Sequence, residues 1–175
     1  MYIKIFFHLL LSLLISLIQI SFIQSWMSWL GYFNLVLVAL IFVLSLSGLD
    51  KALLWAGTAG FIHDIYSFLP FGLFISIFIL SALAANLLLK SFLTDRSLFS
   101  FWGLILLVLF VFNFLFYSGV YVINLYTVEM PFFLASRDFW IYFLRGSVFS
   151  LVVVFVFFYS SHFISNRLNA VFLKH

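Results

Sequence analysis

The stretch that decides the reading runs from Ala52 to Gly72, ALLWAGTAGFIHDIYSFLPFG. Asp64 within it is the only acidic residue set well inside a hydrophobic segment. Counting back from Asp64 in steps of four gives Gly60, Ala56 and Ala52. Residues four apart share one face of a helix, so the spacing predicts a smooth stripe of small residues leading to a buried carboxylate. Pro70 and Gly72 follow, which suit a helix break and re-entry.

Outward from this segment the chain is almost entirely apolar. Of its 175 residues 67% are hydrophobic and 7% charged, with a mean hydropathy of +1.31. Soluble domains carry roughly a quarter charged residues, so this chain cannot cover a water-facing surface. The apolar residues come in runs of about 20, the length that crosses a bilayer. Such a chain is expected to fold as a single transmembrane domain over residues 1–175, with short linkers and no separate soluble unit. Cysteine is absent, which removes disulfides, thiolate metal sites and cysteine nucleophiles. The net charge of +3 comes from basic residues scattered singly near helix ends, a topological pattern rather than a nucleic-acid surface. The 27 Phe residues read as lipid-facing filler.

Six spanning helices are expected, at about 5–23, 31–47, 52–68, 71–89, 98–119 (extending to 126) and 139–164. The first run starts like a signal peptide, but Gln24-Ser25-Trp26 stands where a small-residue cleavage site would be, so an uncleaved helix is expected. Trp26 and Trp29 sit at interfacial-belt positions. Six helices put Lys4, Lys51, Lys90, Arg96, Arg167 and Lys174 on one side, against Arg137 and Arg145 on the other. By the positive-inside rule both termini are cytoplasmic. No internal repeat is visible, so an inverted-repeat transporter is not indicated.

A carboxylate within hydrocarbon must be protonated, paired or close to water. Asp64 lies 13 residues beyond Lys51, about 20 Å along a helix. In a core about 30 Å thick it then lies at about 10 Å depth from the outer face. Arg145 enters the sixth run from that same face, so an intramembrane Asp64–Arg145 ion pair is the first expectation, with Arg137 and His63 as competing partners. His63 points about 100° from Asp64 on a helix, so the two need not form a dyad. Asn86, Asn113 and Asn124 are candidates to bridge helices, and Ser12 with Ser16 makes a small-xxx-small pair on the first helix. His8, His162 and His175 lack ligand spacing. No HExxH, GxSxG, P-loop or paired-carboxylate motif occurs, so nothing supports hydrolytic or metal-based catalysis, and no cofactor is expected.

The pattern small-xxx-Gly-xxx-Asp, with Pro six and Gly eight residues after the Asp, resembles the bacterial rod shape-determining protein MreD family. Here those positions are Ala56, Gly60, Asp64, Pro70 and Gly72. The family often has Gly where this chain has Ala56, and the connection ending in Asp95-Arg96-Ser97 also resembles the family's. In specific residues the resemblance covers about 52–97; elsewhere it is one of hydropathy and helix count. It implies an all-α, six-helix inner-membrane protein, similar in fold to the substrate-binding subunits of energy-coupling-factor transporters. It also implies a non-enzymatic scaffold or adaptor role in the cell-elongation complex. The implied partners are membrane lipid, a bitopic MreC-type protein, actin-like MreB filaments and the peptidoglycan synthases.

The alternative is the substrate-binding subunit of an energy-coupling-factor vitamin transporter, with Asp64, Arg145, Glu129 and Trp140 furnishing an outer-side pocket. Against it, the first helix lacks the Ala-xxx-Ala-type pattern associated with docking on the energising module.

Overall fold

The computed structural model describes residues 2–23, 33–92, 98–127, 140–141, 144–152 and 155. Every regular element among them is helical: α1 (Tyr2–Ile18), a π-helical turn (Gln19–Ile23), α2 (Leu35–Ser47), α3 (Leu49–Tyr66), α4 (Leu73–Phe92) and α5 (Leu98–Thr127). The described residues of 140–155 are helical as well. Three segments are long and apolar enough to cross a membrane, Ile5–Ile23, Leu73–Lys90 and Trp102–Ile123. That is consistent with a membrane protein.

Local chemistry sets the boundaries, and it moves several of them from where hydropathy put them. α2 starts late because the Asn34 side chain caps it, its Oδ1 accepting from the Leu37 N–H at 2.9 Å. The helix is left with 13 residues, about 20 Å, short of a full crossing. Gly48, at φ 86, ends α2 and opens α3, its N–H donating to the Leu44 carbonyl at 3.1 Å. Asp50 and Lys51 therefore lie in the first turn of α3 rather than in a linker, with Asp50 suited to the helix's positive end. The expected break at Pro70 and Gly72 is present, and α4 begins at Leu73.

α3 is the element the others pack around. It contacts α1, α2 and most extensively α4, while α5 packs on α4. Its Ala52, Ala56 and Ala59 are fully buried against Val36, Leu37, Leu40 and Ile41 of α2 and Phe78, Ala82 and Ala85 of α4. Small side chains at these positions bring backbones close, which is how helices gain packing contacts where lipid supplies no hydrophobic drive.

Side-chain hydrogen bonds fix α1. The buried Ser12 hydroxyl reaches the Trp55 carbonyl at 3.3 Å and shares a 2.7 Å bond with the Thr58 hydroxyl. Ser16, also buried, bonds back to the Ser12 carbonyl at 2.8 Å. Ser12 thus ties α1 to α3, while Ser16 bonds within its own helix. The π-turn at the end of α1 turns Gln19 inward, where its Nε2 donates to the Phe33 carbonyl at 2.7 Å and its Oε1 accepts from the Leu35 N–H at 2.8 Å. One buried amide thereby satisfies the chain at the entry to α2.

Candidate functional site

The α3–α4 hairpin contains all five residues of the motif. Along α3 the buried face runs Ala52, Ala56, Ala59, Gly60, His63 and Asp64. At Gly60 the first turn of α4 lies directly on the α3 backbone: a β-carbon there would stand 2.5 Å from the Ile75 Cα and 2.7 Å from its nitrogen. No rotamer change could relieve such a contact, so glycine is required by close backbone approach.

One turn further along the same face is Asp64, 4% exposed, beneath the N-terminus of α4. Its Oδ1 accepts from the Phe74 N–H at 2.8 Å. Its Oδ2 accepts from the Gly72 N–H at 3.0 Å and the Ile75 N–H at 3.3 Å. The first N–H groups of any helix lack intrahelical partners and carry its positive dipole end. Asp64 is therefore a cap supplied by one helix to the next. Hydrogen bonds to a charged acceptor contribute about 1.5–3 kcal/mol each, and three of them offset part of the cost of placing a carboxyl group in an apolar setting.

The turn is built to present those donors. Ser67 closes α3, its N–H donating to the His63 carbonyl at 2.9 Å. Pro70 lies at an exposed position and its carbonyl accepts from the Leu73 N–H at 3.3 Å. Gly72 is the third residue of that four-residue turn, with φ +98, where a positive φ favours glycine. Ser76 returns both its N–H (3.0 Å) and its hydroxyl (2.7 Å) to the Gly72 carbonyl.

The expected Asp64–Arg145 ion pair is not found among the described residues. The physical reason is that backbone amides occupy both oxygens of Asp64, and Arg145 lies at an exposed position. His63 does not bond Asp64 either. Its ring packs against Phe74 and Phe78, with centroids 5.5 and 5.4 Å away, and its buried Nε2 meets no acceptor. The aromatic stack continues through Phe74–Phe116 (5.5 Å) and Phe78–Phe112 (5.1 Å) to α5. His63 is thus part of the packing that joins α3, α4 and α5.

Of the other polar candidates, Asn113 bonds the Leu109 carbonyl of its own helix at 2.8 Å and does not bridge helices. Asn86 makes no side-chain hydrogen bond among the described residues. His8 accepts from the Trp55 indole N–H at 3.3 Å, a second tie between α1 and α3. Trp26, Trp29, Asp95, Arg96, Ser97, Glu129, Arg137, His162, Arg167, Lys174, His175 and the side chain of Asn124 lie outside the described residues.

A groove of about 580 Å³ opens between α4 and α5 beside the turn, lined mainly by apolar side chains such as Leu73, Ile77, Leu115 and Val122. Its two hydroxyls, Ser76 and Ser118, are directed to carbonyls of their own helices. No group of three or more His, Cys, Asp or Glu side chains converges among the described residues.

The close backbone contact at Gly60 agrees with the small-residue stripe read from the spacing of Ala52, Ala56, Gly60 and Asp64. Ser12 has a weak signal in its small-xxx-small spacing with Ser16, whereas the Gln19 tie escapes a reading by charge and spacing, because nothing separates it from any other glutamine in a helix.

No family model matches the chain, and neither the curated proteins nor the solved structures give a match.

Proposed function

We propose that this chain is a non-enzymatic inner-membrane scaffold or adaptor of the bacterial cell-elongation complex, folded as six spanning helices with both termini cytoplasmic. The observation that carries the reading is the use made of the MreD-like residues. Gly60 admits the Ile75 backbone, Asp64 binds the amides of residues 72, 74 and 75, and Pro70 and Gly72 shape the turn between. The spacing that carries the resemblance is thus the spacing needed to lock one helical hairpin. Such a motif serves architecture: a carboxylate with both oxygens on backbone amides is a poor general base, because those bonds must break before it can act. With short described connections, contacts with an MreC-type protein, MreB filaments and peptidoglycan synthases would run through intramembrane faces and short loops.

The transporter-subunit alternative draws no support from the residues it needs. Asp64 is engaged by the backbone, and Arg145 and Trp140 lie at exposed positions. Purification of the tagged chain from native membranes tests the proposal. Copurification of a bitopic MreC-type protein is the expected result. A tightly bound vitamin together with a transporter ATPase, and no such bitopic protein, would overturn it.

A further inference from the structure

We infer that the tip of the α3–α4 hairpin, residues 66–71, is a lipid-binding surface seated at the boundary between the headgroups and acyl chains of the bilayer. The inference rests on α4 crossing the membrane and is independent of the scaffold role.

Length places the tip. Lys51 and Lys90 stand at the opposite end of the hairpin, near the start of α3 and the end of α4. From Lys51 to Tyr66 is 15 residues and from Lys90 to Leu73 is 17, about 22 and 26 Å of helix. With the lysines at one interface of a core about 30 Å thick, the tip ends at the far boundary of the hydrocarbon and does not project beyond it.

Composition agrees with that depth. Phe61, Ile65, Tyr66, Phe68 and Phe71 are all exposed, Phe68 completely, and the tip has no charged side chain. A tip standing in water would leave this aromatic cluster unburied, whereas aromatic side chains are favoured at the membrane interface.

The hydrogen bonding narrows the position further. In hydrocarbon every N–H must be satisfied within the protein. At the base of the tip this holds, because Asp64 and the Pro70 and Gly72 carbonyls take the N–H groups of residues 72–76. At its crest the N–H groups of Phe68, Leu69 and Phe71 have no acceptor among the described residues. Those groups need acceptors from outside the chain, which lipid ester and phosphate oxygens and interfacial water supply at the boundary and the hydrocarbon interior does not. The exposed rings, in turn, argue against full immersion in water. The rings of Phe68 and Phe71 would then lie against the acyl chains.

The chain has no cysteine, so single nitroxide labels can be placed without background. Full-length Phe68→Cys and Phe71→Cys proteins, substituted at exposed positions, are reconstituted in phosphatidylethanolamine/phosphatidylglycerol vesicles. Leu107→Cys, exposed about a third of the way along α5, is the reference for a lipid-facing span. Collisions of each label with oxygen and with a water-soluble nickel chelate are measured by power saturation. The expected result is oxygen exceeding nickel at both tip positions, with a depth between that of position 107 and water. Nickel accessibility at 68 and 71 like that of an aqueous label, with 107 still oxygen-rich, overturns the tip assignment and leaves the spanning reading intact. Nickel accessibility at all three positions overturns the spanning reading itself. Low collision rates with both reagents at the tip mean that protein covers it, and also overturn the inference.

Discussion

The backbone of Ile75 rests on Gly60 with no room between them for a methyl group. This contact makes Gly60→Ala a test of the hairpin. Forcing volume into a packed site costs about 1–3 kcal/mol, and here the obstacle is backbone, which cannot change rotamer. Gly57, one turn earlier, has nothing within 4 Å of the same added atom. Gly57→Ala is therefore expected to stabilise by about 0.5–1 kcal/mol through helix propensity. Thermal unfolding in detergent should show opposite signs for the two substitutions; equal signs would remove close packing as the reason for Gly60.

Asp64 caps α4 through three amides, and its variants should rank by how many acceptors they keep. Asp64→Asn retains one carbonyl oxygen and turns an amide NH2 toward the remaining donors. Asp64→Ala retains none and leaves three part-buried N–H groups without their acceptor, each costing up to about 1–3 kcal/mol, the figure for full burial. Unfolding temperature should fall from wild type to Asn to Ala, with faster hydrogen exchange at Gly72, Phe74 and Ile75. Arg145→Gln should leave the exchange of those three amides unchanged, since backbone N–H groups and not Arg145 occupy the Asp64 oxygens. The double exchange Asp64→Arg/Arg145→Asp should fail to rescue stability, because an arginine at 64 opposes the positive end of α4. Rescue would restore the ion-pair account.

The position of this carboxylate was legible in the sequence while its partner was not, and the difference has a physical cause. Small residues at steps of four ending in Asp64 disclose a packed face, and Pro70 with Gly72 discloses the break after it. A charge in a sequence suggests an opposite charge, so Arg145 looked like the answer. The actual donors are backbone N–H groups 8, 10 and 11 residues on. Every residue except proline carries such a group, so no letter marks it. Gln19 shows the same limit, since both of its partners are backbone atoms. Helix ends were blurred for another reason: hydropathy cannot see that Asn34 caps α2 or that Gly48 separates α2 from α3.

Gly72 isolates a conformational requirement from a packing one. Its φ is +98 and a β-carbon there would meet nothing within 4 Å. Gly72→Ala should therefore cost about 1–2 kcal/mol from the backbone alone, and Gly72→Val more, because β-branched residues tolerate positive φ least. Gly72→Asn should cost less than Gly72→Ala, since Asn visits that region more readily. A titration of unfolding in mixed detergent would give the order Gly, Asn, Ala, Val. Were Ala and Val as stable as Gly, the turn would have another shape in the membrane.

Gln19 offers the cleanest test of the α1–α2 connection, because one side chain serves as both donor and acceptor. Gln19→Leu keeps the bulk but strands the Phe33 carbonyl and the Leu35 N–H in a buried site. Leaving a buried polar group unsatisfied costs about 1–3 kcal/mol. Gln19→Glu preserves the acceptor for Leu35 but sets a carboxylate oxygen against the Phe33 carbonyl, so it should restore less than half of the loss. The check is thermal unfolding combined with hydrogen exchange at Leu35, whose amide should lose protection in Gln19→Leu and keep most of it in Gln19→Glu. Equal protection in both variants would mean that Asn34, capping α2 from one residue before it, is enough to hold the entry to that helix.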